Sequence, residues 1–260
     1  MELKIKTRPG PGLQRLVTDQ FERLRFSLLR LLPGQSFGEE LEDWECGLVL
    51  LSGRVEARAG GGNPVELGPR KNVFDDPPWG LYVPGRSSYR VAALAESELA
   101  LSYAPWRKSG GAVVVRPDRV SVHERGRPGF RREVRDIMVD NVDADSLLVG
   151  ETVNRPGEWS SYPPHKHDTV IPDLESRLEE VYYYKADPPQ GFGFQRIYTD
   201  DRSLDEALTV ENDDLTLLPR GYHPVAAAPG YKLYYFWALA GPERLMRPHN
   251  DPLHEWTLEA

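Results

Sequence analysis

PPHKHDTVIPDLESRLEEVYYY, residues 163–184, decides how this chain folds. His165 and His167 stand two apart, and on a strand successive side chains alternate between faces. Both imidazoles therefore project to one side and Lys166 to the other. At the far end, Glu180 opens the run Val181, Tyr182, Tyr183 and Tyr184, whose β-branched and aromatic residues favour extended backbone. In strand phase Glu180, Tyr182 and Tyr184 share one face, while Val181 and Tyr183 share the other.

Working outward, the same pattern recurs along the chain. Apolar alternation predicts strands over 24–32, 47–51, 54–58, 80–83, 89–93, 99–103, 112–116, 136–142, 146–154, 180–185, 191–198, 215–218 and 231–239. Between 117 and 135 the chain is charged, and the best helical signal, 203–208, is one or two turns long. The 23 prolines and 23 glycines are dispersed between short strand-like runs, as in a many-stranded barrel or sandwich. The expected class is all-β.

An internal repeat organises these strands. LYVPGRSSYRVAALAESELALSY (81–103) echoes LTLLPRGYHPVAAAPGYKLYYFW (215–237), and aligning Val91 with Val225 sets Tyr89 opposite His223. ECGLVLLSG (45–53) echoes EVYYYKADP (180–188), with Glu45 opposite Glu180. Two similar β modules in tandem are the economical reading, with halves expected at 1–125 and 126–260. The first module has no histidine before His123, so it lacks the imidazoles for a metal site. It reads as a structural or oligomerising module, and Glu45 as an ordinary residue at a strand start.

Bulk properties remove several classes of function. The 260 residues carry a formal net charge of −8, with no long Lys/Arg block, so the electrostatic footprint of a nucleic-acid binder is missing. Mean hydropathy is −0.52 and no stretch approaches a membrane span, so no membrane partner is expected. The first residues, MELKIKTRPGPGLQRL, lack the apolar segment of a secretory signal. The single cysteine, Cys46, suits a reducing cytoplasm. Gly60–Gly62 has no helix after it and reads as a turn, not a phosphate cradle.

The chemistry converges on the second module. A Pro219–Arg220–Gly221 turn delivers His223 at the start of a strand, and joins His165, His167 and a glutamate as a donor set for one divalent metal ion. Imidazole and carboxylate suit Mn, Fe, Ni or Zn with positions left open for substrate or water. Glu180 is preferred to Glu179 because it immediately precedes the apolar strand; Glu175 and Glu179 then read as solvated. Lys166 should face out of the barrel. Tyr182 and Tyr184 should line the cavity as hydroxyl donors or proton shuttles, or else serve as core aromatics.

These motifs resemble the two signatures of the cupin superfamily, and the wider text resembles the 5-deoxy-glucuronate isomerases of inositol catabolism. The resemblance covers nearly the whole chain and is most specific in GETVNRPGEWSSYPPHKHD (150–168), LEEVYYYKADPPQGFGFQRIYTDD (178–201), LLPRGYHPVAAAPGY (217–231) and HNDPLHEW (249–256). It implies a bicupin, two tandem cupin-type β-barrels of double-stranded β-helix or jelly-roll form. By resemblance His165, His167, Glu180 and His223 are the metal ligands, in the C-terminal barrel alone. The insertion TVIPDLESRL, between His167 and Glu179, departs from the general cupin spacing.

The activity implied is a metal-dependent aldose–ketose isomerisation of a small deoxy-uronic acid, 5-deoxy-D-glucuronate, to 5-dehydro-2-deoxy-D-gluconate. Being redox-neutral, it needs no nucleotide. It needs a cation for the distal carboxylate, for which Arg155 and Arg196 are the candidates, since guanidinium pairs with carboxylate bidentately. Gln195 is a further candidate for substrate contact. The tail 247–256, with His249, Asn250, Asp251 and His254, is expected to fold over a barrel mouth or to form a dimer contact. Exposed sheet edges in such modules allow a homo-oligomer. Two rivals stand beside this reading: another reaction on the same site, such as a related uronate ketol-isomerase or a dioxygenase, and a non-catalytic sugar-binding bicupin.

Overall fold

The computed structural model describes residues 2–108 and 110–259. Among these, regular structure is almost wholly extended: the only helical turns are two short 3-10 segments, Pro117–Arg119 and Glu255–Leu258. No helix is long and apolar enough to cross a membrane.

By contacts the chain forms two compact units. One comprises Thr7–Ser121 and Asp136–Gly150; the other comprises the chain up to Lys6, Val122–Arg135 and everything from Glu151 onward. The segment up to Lys6 thus belongs with the later unit, and 136–150 with the earlier one.

The earlier unit is organised by one long strand, Trp44–Ala59. Sequence alternation suggests two strands broken at Ser52–Gly53; instead the strand continues and bends. Its first half pairs with Trp79–Val83 and Ser97–Pro105, its second with Val65–Arg70 and Ser87–Ala93, with register shifts between them. Gly53 sits at the bend with φ +97°, and any Cβ there would strike the Glu96 carbonyl and Ser97, so a side chain is excluded on both counts. Leu48, Leu50, Val55, Ala57, Val91, Leu99 and Leu101 fill the interior.

In the later unit Lys4–Lys6, Asp214–Leu218, Glu179–Asp187 and Lys232–Ala240 lie side by side in that order, antiparallel. A second sheet runs Trp159–Ser160, Val225–Ala227, Phe192–Tyr198 and Asp205–Glu211. Side chains of the two sheets meet inside: the Ser160 and Tyr235 hydroxyls are 2.9 Å apart. The repeat is visible in register, because Cys46 faces Val83 as Val181 faces Leu217.

The helix expected at 203–208 does not form. Asp205–Glu211 is a strand hairpinned onto Phe192–Tyr198. Asp201 holds the turn, accepting hydrogen bonds from the Thr199 hydroxyl at 2.6 Å and the Ser203 N–H at 3.0 Å. Cross-strand pairing outweighs the weak helical propensity of so short a segment. The charged stretch after 117 also holds strands, Ser121–Arg125 and Arg132–Met138, the latter beginning before the expected start at 136.

Candidate metal centre

Three chain segments in the later unit carry the site. His165–Lys166 is a short strand paired with His249–Asn250, His165 opposite Asn250 and Lys166 opposite His249. The tail segment 249–256 therefore braces the histidine strand. Asp251 extends that bracing by accepting the Tyr198 hydroxyl at 2.7 Å and donating its N–H to the Pro164 carbonyl at 2.8 Å. His249 and His254 stay outside the histidine cluster.

His165, His167 and His223 converge as the alternation predicts, with ligand nitrogens all within 4.8 Å of one another. Glu180 completes the group: its Oε2 lies 3.0 Å from His167 Nε2 and 3.3 Å from His223 Nε2. Glu179, in register with Ala240, alternates to the opposite face and is not brought to the histidines.

Backbone carbonyls fix the imidazoles. His167 Nδ1 lies 3.0 Å from the Leu178 carbonyl and His223 Nδ1 lies 3.0 Å from the Gly221 carbonyl. A proton on each Nδ1 donates to that carbonyl and leaves the Nε2 lone pair free. Gly221 adopts φ +87°, and a Cβ there would strike the Tyr198 carbonyl, so the turn that presents His223 requires glycine.

The local electrostatics keep two of the three rings neutral. Burial, together with the neighbouring His167 and Arg132, pushes the His165 pKa down to about 3. Burial and His165 likewise push His223 down to about 3. For His167 burial acts in the same direction, but hydrogen bonding and attraction to Glu180 outweigh it and the pKa is raised. His223 Nε2 is buried with no hydrogen-bond partner. Three imidazoles, one with an orphaned nitrogen, converging with a carboxylate fit the donor set of a divalent transition metal.

Behind the histidines lies a network that departs from the expected picture. Lys166 does point away from the imidazoles, yet it is not solvent-facing: only 8% of it is exposed. Its ammonium lies 3.0 Å from Asp168 Oδ1 and 3.1 Å from Glu175 Oε2. Glu175 is likewise not solvated, at 2% exposure, and accepts the N–H groups of Asp168 and Thr169 at 2.8 and 2.9 Å. The insertion after His167 turns back on itself, with the Glu175 N–H bonded to the Ile171 carbonyl at 2.9 Å, and this brings the carboxylate home.

Tyr182 and Tyr184 both point inward and are buried. Tyr182 stacks on Tyr235 at 4.3 Å, lies 5.9 Å from the His223 ring, and its hydroxyl is 3.0 Å from Ser161 Oγ. Burial pushes both phenols well above their usual range, which favours their protonated form. Gln195 is wholly buried with neither amide atom partnered. Asn154, which sequence reasoning missed, is in the same condition. It shares strand phase with Thr152, whose hydroxyl accepts the Trp237 indole N–H at 3.2 Å.

The two arginines expected to clamp a carboxylate are placed elsewhere. Arg155 is exposed and paired with Glu124 at 2.9 Å. Arg196 forms a two-pronged pair with Asp205 across the hairpin, both contacts 2.7 Å. Neither is brought to the histidines. Arg132, not singled out from sequence, is half-buried, and its charge acts on His165, Tyr182 and Tyr235.

In the earlier unit, the counterpart of the metal-site glutamate has a structural task. Glu45 is fully buried and accepts the Tyr82 hydroxyl at 2.7 Å and the N–H groups of Asp145, Ser146 and Leu147 at 2.8, 2.7 and 2.7 Å. It is therefore a hydrogen-bonding hub and not an ordinary strand-start residue, because a buried carboxylate must be fully satisfied. Tyr89, opposite His223 in the repeat, bonds Glu39 at 2.9 Å and Tyr103 at 3.2 Å.

The sequence profile of the KduI/IolB family matches residues 13–257. A 5-deoxy-glucuronate isomerase of Geobacillus kaustophilus is 43% identical over 241 residues, spanning 92% of this chain and 87% of its own. The 5-deoxy-glucuronate isomerase of Bacillus subtilis strain 168 is 40% identical over 238 residues, spanning 91% and 88%. The crystal structure of an IolB-like protein from Salmonella typhimurium superposes with a TM-score of 0.93 at 35% identity, covering 98% of this chain and 99% of that one. Oxalate decarboxylase of Lactobacillus farciminis superposes at 0.70 with 11% identity, covering 100% and 91%. That last likeness bears on fold alone, and the fold is the all-β bicupin expected from sequence.

Proposed function

The chain belongs to the KduI/IolB family, and from that premise we propose that it is a metal-dependent aldose–ketose isomerase converting 5-deoxy-D-glucuronate to 5-dehydro-2-deoxy-D-gluconate. The observation that carries the metal-dependent part is the meeting of His165, His167, Glu180 and His223 around a buried, unpartnered Nε2. These four residues would hold one divalent ion. When bound, the ion supplies Lewis acidity to the substrate's carbonyl and adjacent hydroxyl oxygens, and so stabilises the negative charge that builds up there.

The chain's own groups do the rest. The isomerisation relocates two hydrogens, one from the hydroxyl-bearing carbon to the neighbouring aldehyde carbon and one from that hydroxyl to the aldehyde oxygen. The balance is internal, so no external oxidant or reductant enters. Tyr182 and Tyr184, held protonated by burial, donate hydrogen bonds to substrate oxygens. The amide of Gln195, with neither atom partnered, is free to bond substrate hydroxyls. Inner-face residues such as Ile197 and Val225 exclude bulk water, which strengthens each of these polar contacts.

Turnover of 5-deoxy-D-glucuronate by metal-stripped protein, and by protein reloaded with Mn, Fe, Ni or Zn singly, tests this reading. Activity that returns with one of these ions, anaerobically and without oxygen uptake, supports it. Turnover by the stripped protein, or a requirement for dioxygen, overturns it.

A further inference from the structure

The run Arg131–Arg132–Glu133–Val134–Arg135 holds three arginines within five residues, and the structure treats the middle one differently. Arg131 binds Glu158 through two nitrogens, at 2.9 and 2.6 Å. Arg135 lies 2.5 Å from Glu133 and 2.8 Å from Glu151. Arg132 has no carboxylate partner among the described residues. Its hydrogen bond is from Nη1 to the Phe130 carbonyl at 3.1 Å, which leaves most of the donor fork free.

That fork is held in place from behind. Gly126 adopts φ +86°, and a Cβ there would meet the Phe130 carbonyl and approach Arg132 Nη1 to 2.8 Å. The loop can therefore fold against the guanidinium only with glycine at that position. Phe130 is packed in turn on Tyr162 at 5.6 Å, directly before the Pro163–Pro164–His165 segment. In front, the charge of Arg132 is felt at His165, Tyr182 and Tyr235, the groups that border the metal centre.

A second cation, Arg125, acts on both Arg132 and His165 and is exposed. Two like charges brought near each other, one half-buried and neither neutralised, cost free energy in the unliganded protein. An anion arriving between them and the histidines would recover that cost. A half-buried guanidinium without a counter-ion is the preorganised half of a bidentate carboxylate pair.

We propose that Arg132, supported by Arg125, holds the carboxylate of the uronic acid substrate while its aldehyde end lies at the histidine cluster. The proposal rests on the isomerase reading above and gives the clamp to a residue other than Arg155 or Arg196. Those two have already spent their forks on Glu124 and Asp205.

The test compares wild-type, Arg132→Gln and Arg132→Lys holoenzymes on 5-deoxy-D-glucuronate and on its uncharged methyl ester, with metal content measured on each. Calorimetric titration with D-glucuronate adds a readout independent of turnover. The expected result for Arg132→Gln is roughly a 100-fold fall in kcat/KM on the acid, mostly through KM, because a desolvated charge pair has lost one partner. Activity on the ester and metal content should change little, and D-glucuronate affinity should fall in parallel with the acid. Arg132→Lys keeps the charge but not the fork and should fall about 10-fold on the acid; it serves as the test should the glutamine variant not fold.

If both variants keep wild-type selectivity for acid over ester, the clamp assignment is overturned while the isomerase reading stands. If wild-type protein turns over neither compound, the isomerase reading falls, and the titration decides the clamp. D-glucuronate binding that depends on Arg132 keeps it, and binding indifferent to Arg132 removes it.

Discussion

Asp168 accepts the Gly221 N–H at 2.7 Å, joining the segment that carries His165 and His167 to the turn that presents His223. Its other oxygen receives the Lys166 ammonium at 3.0 Å, so one carboxylate registers two of the segments that must meet at the metal. Hydrogen bonding and the Lys166 charge hold the Asp168 carboxyl below its usual range against the opposing effect of burial. Residues that orient ligands in this way usually tune metal affinity by 10- to 100-fold, roughly the loss expected for Asp168→Ala. Asp168→Asn, which can still accept from Gly221, should lose less. Competitive metal titration against a fluorescent chelator distinguishes the two; equal affinities for wild type and Asp168→Ala would sink the idea.

Strand phase favours Glu180 over Glu179 as the metal ligand, and the choice is open to direct measurement. Glu180→Gln should abolish stoichiometric metal binding and lower kcat by roughly 100-fold or more, because the site loses its anionic donor beside His167 and His223. Glu179→Gln, on the opposite face, should retain metal and most activity. Elemental analysis of both variants after extensive dialysis decides it; metal loss in the Glu179 variant alone would reverse the assignment.

The convergence of the histidines and Glu180 was legible in the sequence for a physical reason: strand alternation is strict enough that spacing alone fixes which side chains share a face. His165, His167 and Glu180 follow from that rule, and His223 from the turn before it. The ion-pair partners were not legible, since they depend on where distant segments return. Arg196 is taken by Asp205 because 205–211 forms a hairpin strand, in a segment whose local sequence suggests a helical turn. Lys166 and Glu175 are buried because the insertion folds back over them. Nothing in the spacing of Arg131, Arg132 and Arg135 says which one lacks a carboxylate.

Metal should also contribute to stability, since His165, His167, Glu180 and His223 converge on one point only when the chain is folded. A ligand bound to the native state alone stabilises by about 2.7 kcal/mol at a hundredfold excess over Kd. That corresponds to a Tm rise of several degrees, on the order of 4–8 °C per kcal/mol at most for small domains and less for larger ones. Chelator treatment of wild type should lower Tm, and readdition should restore it. His223→Ala should show the lowered Tm with or without metal; a full metal-dependent shift in that variant would argue that the ion sits elsewhere.

Glu45 provides the contrasting case, a glutamate at the repeat position of Glu180 that holds chain instead of metal. Four donors converge on it, from Tyr82, Asp145, Ser146 and Leu147, all within 2.8 Å. Replacing it with alanine strands buried N–H groups, each of which costs about 1–3 kcal/mol when left unsatisfied. Partial relaxation and water entry would recover some of this, so the net loss for Glu45→Ala should be about 3 kcal/mol or more. Glu45→Gln keeps two acceptor lone pairs on one oxygen but turns the other into a donor facing donors, and should cost nearly as much. Denaturant unfolding measures this, and metal content per folded chain should stay at the wild-type value in both variants. A loss of metal without a loss of stability would instead make Glu45 part of the ion's environment, which its four donors give it no spare lone pair to serve.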